Sequence, residues 1–259
     1  MPGDQMSWFE IIIAISGGFL AGVINTLSGN GSIITLGLMT EFLGMPPQIA
    51  NGTNRIGLLS QGVFSLLAFK KMNKLEVGNT KPYILTGIIG AIAGAITAVY
   101  ISPDFFNGIY KLLMVLMLIL IIAKPEKWLS QHKSQAHLSA WIHIPLFFIL
   151  GFYGGFIQLG MGVFFIFIMT YLLNFDIIKS NIIKIIMVSS YTILIILIFQ
   201  WNQMIDWKVG LTIAIGQSTG GYLMAHFSSR MKNLEKFVYY LFIGVVSLTL
   251  CKMVIYEYL

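Results

Sequence analysis

Apolar residues dominate several stretches of this chain that are long enough to cross a bilayer, which takes roughly 20 consecutive, mostly apolar positions. Six runs meet that length loosely: Ile49 to Phe69, Tyr83 to Ile101, Phe105 to Ala123, Ile177 to Phe199, Trp207 to Ala225 and Phe237 to Tyr256. Two other stretches break. Apolar residues from Trp8 to Ile24 meet the polar, glycine-broken NTLSGNGS of Asn25 to Ser32 and resume only over Ile33 to Leu43. Trp141 to Ile157 likewise runs into QLGMG, Gln158 to Gly162, and resumes over Val163 to Leu173. A second arm of eleven residues reaches about 16 Å, around half of a hydrocarbon core roughly 30 Å thick. These arms are predicted half-helices. Unwound backbone at membrane depth must be satisfied by protein or by a water-filled cavity, so the breaks mark a cavity.

The broken stretches resemble each other. GFLAGVIN, Gly18 to Asn25, parallels GFYGGFIQ, Gly151 to Gln158; beyond a two-residue gap, Gly29 and Gly31 fall on Gly160 and Gly162. Met39-Thr40 then falls on Met169-Thr170, and Asn51 and Asn54 on Asn181 and Lys184. The chain reads as a tandem duplication: a first membrane repeat over 1–123, a cytoplasmic linker over 124–140 and a second membrane repeat over 141–259.

Composition supports this reading: 57% of residues are hydrophobic and 10% charged, against about 25% charged in soluble domains. The predicted class is an all-α polytopic membrane protein. Its net charge of +6 does not gather into one soluble patch, so no nucleic-acid partner is expected. One cysteine, Cys251, excludes an internal disulfide and a thiolate cluster, and is read as a packing residue. Met1 to Glu10 holds Asp4 and Glu10 but no Lys or Arg ahead of the apolar stretch, so no cleavable signal is expected.

Charge also orients the chain. If each broken segment is a re-entrant hairpin returning to its own side, each half contributes three full crossings and the second half is inverted relative to the first. The basic loops Lys70 to Lys81, Lys124 to Lys133 and Arg230 to Lys236 then share one side with Lys179, eleven Lys or Arg against Lys111, Lys208 and Lys252 opposite. The positive-inside rule makes the basic side cytoplasmic and puts both termini outside. If the broken segments crossed fully, the halves would be parallel and the basic loops split between sides.

Arg55 and Lys184 fall outside that tally because both lie inside apolar runs that hold no Asp or Glu. An ionised side chain at the centre of a membrane helix costs about 2.5–3.5 kcal/mol on insertion scales. Unless backbone carbonyls or the bilayer edge relieve them, these two cations require an anion from outside the chain; the plain alternative is snorkelling toward the headgroups. Asn51, Asn54 and Arg55 share a helical face at i, i+3 and i+4, with Thr53 and Gln61 nearby, and Asn181 and Lys184 form a matching stripe. For Asn and Thr the plain alternative is interhelical hydrogen bonding. The breaks, Ser28-Gly29-Asn30-Gly31 and Gly160 to Gly162, are read as backbone N–H donors at the starts of the half-helices, with Asn25 and Gln158 beside them. His132, His137, His143 and His226 are read as solvated or interfacial rather than as metal ligands. HExxH, GxSxG and GxxxxGK[ST] are absent, so no enzyme activity, metal or cofactor is expected.

GFLAGVINTLSGNGSIITLGLMTEFLGMPPQIANGTNRIGLL resembles the repeat hallmark of the sulfite exporter TauE/SafE family, small bacterial and archaeal membrane permeases. The family's glycine-rich break, short apolar arm, Gly-hydrophobic-Pro turn and A-x-G-T element correspond to Ser28 to Gly31, Ile33 to Leu43, Gly44 to Pro46 and Ala50 to Thr53. The second copy departs: no proline follows Asn174, and SNIIK, Ser180 to Lys184, replaces the A-x-G-T element. The resemblance implies transport of sulfite, sulfoacetate or a related sulfur anion across the plasma membrane; the residues alone reach only a small anion. An inside-negative potential favours exit of a monovalent anion by about 2.3 kcal/mol per 100 mV, so the expected direction is outward. An anion channel and a non-catalytic membrane assembly factor stay open as alternatives, and oligomeric state is left open.

Overall fold

The computed structural model describes residues 6–27, 29–73, 75, 80–122 and 140–227 and positions 244, 247 and 252. The sixth apolar run apart from those last three positions, most of the linker, two of the three basic loops, His132, His137 and Cys251 lie outside the described residues. Every regular element among the described residues is helical. Helix α1 spans Trp8–Leu27. Helix α2, Gly31–Gly37, continues as a π-helical turn over Leu38–Phe42. Next come α3 (Pro47–Lys71), α4 (Lys81–Tyr100) and α5 (Pro103–Ile122). The same order recurs in α6 (Ala140–Phe156), α7 (Met161–Phe167, with a π turn over Ile168–Leu172), α8 (Ile177–Trp201) and α9 (Trp207–Phe227).

The broken stretches thus form a long helix, a short turn and a half-helix. The short arm ends by the same device twice. Leu43 N donates to Leu38 O and Leu173 N to Ile168 O, each closing the wider π ring, and the following residue, Gly44 (φ 63°) or Asn174 (φ 55°), turns left-handed. Glycine adopts that conformation without steric cost, and asparagine is the side chain that tolerates it next best. The next helix then starts differently: α3 has Pro47 in its first turn, whereas α8 is capped by Asp176, whose side chain accepts from Lys179 N at 2.8 Å. The departure of the second copy is therefore an exchange of start signals that keeps the turn.

Four helices among the described residues, α1, α4, α5 and α8, are long and apolar enough to cross a membrane. The predicted spans Ile49 to Phe69 and Trp207 to Ala225 are also helical but fall short of that criterion, because α3 and α9 carry much of the interior polarity. In α3, Gln48, Asn51, Thr53, Asn54, Arg55, Gln61 and Ser65 are all buried. With large apolar side chains exposed along its helices, the chain is a membrane protein with polar residues inside.

Glycine pairs four residues apart set the helix directions. A methyl group at Gly18 would strike the backbone at Ile213, and one at Gly22 the backbone at Gln217 and Gly221; Gly216 and Gly220 face Ile15 and Phe19 of α1 in return. Numbers rise together, so α1 and α9 run parallel at backbone contact. Gly90 and Gly94 meet Phe148 and Phe152 while Gly151 and Gly155 meet Gly87 and Ala91, so α4 and α6 are parallel too. Small residues at this spacing let membrane helices approach closely. Helices α3 and α8 run antiparallel: Gly52 lies by Phe199, and Gly62 by Ser189 and Ile185.

Candidate functional site

Helices α3 and α8 have 25 residues each and pack along one another, with Gly62 against Ser189. The two breaks meet there: a Cβ on Gly29 would overlap the backbone of Gly162, and one on Gly162 that of Gly29. A small cavity lies at this point. It is lined by Asn25 and Gly29 from the first break, Gln158 and Gly162 from the second, Leu58, Gln61 and Gly62 from α3, and Lys184, Ile185, Val188 and Ser189 from α8.

The two cations are both buried, Arg55 at 0% and Lys184 at 3% exposure, so neither snorkels. Each reaches across to the end of a broken helix. Arg55 Nη1 donates to Gly154 O at 2.7 Å and Gln158 Oε1 at 2.9 Å, and Nη2 to Gly155 O at 3.0 Å and Asn51 Oδ1 at 3.1 Å. Asn51 Nδ2 adds a bond to Phe156 O at 2.9 Å. These carbonyls close the last turn of α6, where unpaired C=O groups and the negative helix end favour a cation. On the other side Lys184 Nζ donates to Asn25 O at 3.0 Å, and Asn181 Nδ2 to Thr26 O, at the end of α1.

Of the alternatives the sequence leaves open, relief by backbone carbonyls applies at Arg55, although its Nε–H finds no partner among the described residues. Its four Nη hydrogens all meet protein oxygens, and it does not line the cavity. Lys184 makes one described bond with its three N–H donors and does line the cavity. The two positions are also not strict equivalents, since Lys184 aligns with Asn54.

Of the other candidates, Asn25, Gly29, Gln158 and Gly162 gather at the cavity. Asn25 Nδ2 donates to Gln61 Oε1 at 2.9 Å, and Gln61 Nε2 to Thr26 Oγ1 at 3.1 Å, so this wall is fixed by a carboxamide pair. The remaining candidates lie elsewhere. Thr53 is turned toward α9, where its hydroxyl accepts from Asp206 N at 2.9 Å. Asn54 Oδ1 accepts from Thr35 Oγ1 at 2.6 Å, tying α3 to α2. Gly31 packs on the backbone of Ala21, and Gly160, left-handed at φ 71°, packs on the side chain of Met117. Asn30 precedes α2 without a side-chain cap. Ser28 lies outside the described residues. Gly29 N donates to Asn25 O at 3.0 Å, so that N–H is already used within the protein.

Two residues at the site were missed. Ser189 lines the cavity, with a buried hydroxyl that finds no partner among the described residues. Tyr191 OH donates to Gln158 Oε1 at 3.0 Å. Both sit in VSSYTILIILIF, where a run of apolar residues hides isolated hydroxyls; a Ser or Tyr within a turn or two of a buried lysine was the available signal. Among the described residues no group of three His, Cys, Asp or Glu is placed to hold a metal. His143 meets Tyr83 OH at 3.2 Å and His226 stacks on Tyr222.

Comparison with known proteins gives the family. A family described as "Sulfite exporter TauE/SafE" matches residues 14–253. The chain is 26% identical over 212 residues to a "Probable membrane transporter protein ORF9" of Sinorhizobium, covering 81% of this chain and 80% of that one. It is 25% identical over 211 residues to a "Probable membrane transporter protein" of Haemophilus influenzae, with 80% and 81% covered. A third relative of the same description, from Xylella fastidiosa, is 22% identical over 217 residues, with 83% of each covered. No solved structure matches.

Proposed function

Given that the chain belongs to the sulfite exporter TauE/SafE family and is similar to proteins named probable membrane transporters, we propose that it carries a small sulfur-containing anion, such as sulfite or an organosulfonate, out across the plasma membrane. The single observation that carries this reading is Lys184: a buried ammonium at the meeting point of two helix breaks, lining a cavity whose described walls hold no carboxylate. An isolated buried ammonium is relieved by a counter-ion, and a charge at membrane depth facing a cavity belongs to a transport path.

The architecture that serves this function is two inverted repeats, 1–123 and 141–259, joined by a cytoplasmic linker at 124–140, each with a re-entrant hairpin and three crossings. Support comes from the antiparallel crossing of α3 and α8, which occupy corresponding places in chain order, and from the exchange by which α1 packs on α9 and α6 on α4. Inverted repeats of this kind put the substrate at the midplane, between discontinuous helices. Arg55, with Asn51, holds the end of α6; Lys184, Gln158 and Asn25 face the passenger.

Flux in proteoliposomes tests the proposal. Wild-type protein gives saturable sulfite or sulfonate flux, outward when the interior is negative, and Lys184→Gln lowers it at least about tenfold, the loss of one charge-assisted contact. Flux through Lys184→Gln equal to wild type would remove the lysine from the mechanism, and non-saturating currents would favour a channel.

A further inference from the structure

We infer that Arg55 and Tyr191 are positioning residues that lock Gln158 as a hydrogen-bond donor to the passenger; this rests on reading the cavity as the anion site. A guanidinium has N–H donors and no acceptor. The Gln158 atom that Arg55 Nη1 meets at 2.9 Å is therefore its carbonyl oxygen, Oε1, and Tyr191 OH reaches the same atom at 3.0 Å. Neither holder is free to move: Arg55 and Tyr191 are both 0% exposed, and Arg55 is tied to Gly154 O and Gly155 O at the end of α6.

With Oε1 held from two sides, the carboxamide does not flip. Its NH2 group is the end left for the cavity that Gln158 lines. Lys184, a pure donor, approaches the same space from α8, and the buried Ser189 hydroxyl, able to donate or accept, lies beside it without a partner among the described residues. The passenger recognised by such a wall is an oxyanion presenting at least two unprotonated oxygens, one to the ammonium and one to the amide.

The decisive variant is Gln158→Glu, which keeps an oxygen for Arg55 and Tyr191 and puts an acceptor where the amide donated. Purified full-length protein is titrated with sulfite and with methanesulfonate, a monoanion across the working pH range. Wild type binds; Gln158→Glu keeps the wild-type melting temperature and loses at least about tenfold in affinity. Acidification restores part of that loss for methanesulfonate, because a protonated carboxyl donates again, and raises the affinity of Gln158→Glu by a larger factor than that of wild type. Tyr191→Phe, which frees the carboxamide on one side, raises Kd about threefold to tenfold with the melting temperature kept. Wild-type affinity in Gln158→Glu overturns the inference, as does unchanged affinity in Tyr191→Phe should the first variant fail to fold. A wild type that binds neither anion overturns the anion-site reading itself.

Discussion

Arg55 and Lys184 share burial and charge but not duty, and their hydrogen bonds show why. Arg55 satisfies two main-chain carbonyls and two side-chain oxygens at once, a task suited to a planar fork of five donors. Arg55→Ala would leave those buried acceptors without that donor, a loss of about 3 kcal/mol or more. The expected outcome is a large fall in melting temperature or in folded yield from detergent. Lys184→Gln is expected to cost under about 2 kcal/mol, because Asn25 O keeps the bond from Gly29 N. Equal melting temperatures for Arg55→Ala and wild type would contradict the division.

At the level of elements, the two short arms show what an element's end requires. Gly44 and Asn174 both stand left-handed after a π turn, and nothing lies within 4 Å of a Cβ placed on Gly44. Gly44→Asn is therefore expected to be nearly neutral, while Gly44→Val costs about 1–3 kcal/mol through backbone strain, as thermal melts would show. Gly162→Ala differs in kind, because its methyl would meet the backbone of Gly29 and drive the two breaks apart. It is expected to depress both stability and flux, and wild-type values for both would show that the breaks can separate freely. Breaks, arms and long helices were legible in the sequence because hydropathy and glycine clusters report local conformation. Thr53 was misplaced because helical spacing gives residues that share a face without saying where the face points. Asn51 could be read beside Arg55 at i, i+4, but the main-chain partners of Arg55 were not legible, since they come from α6, 99 and 100 residues away for Gly154 and Gly155. The π turns escaped notice because a one-residue shift of hydrogen bonding leaves no mark in an apolar run.

For the whole molecule, the prediction is topological. If α3 and α8 cross the bilayer in opposite senses with the basic loops inside, the turn after α3 faces the cytoplasm and the turn after α8 faces outward. Lys71 and Gln203, both exposed, mark those turns. In a Cys251→Ser background, Lys71→Cys should react with an impermeant thiol reagent only in opened cells, and Gln203→Cys in intact cells. Labelling of both from one side would refute the inverted arrangement. The proposed substrate site lies between those turns, where Gly62 of α3 packs on Ser189 of α8.

The most direct measurement of that site is ligand-induced stabilisation, since an anion that binds the folded state alone raises its melting temperature. Purified wild type and Lys184→Gln would be melted across a series of sulfite concentrations at constant ionic strength, with chloride as the compensating salt. A concentration-dependent rise in wild type that disappears in Lys184→Gln is the predicted result; an identical rise in both proteins would contradict the assignment of Lys184 as the anion's partner.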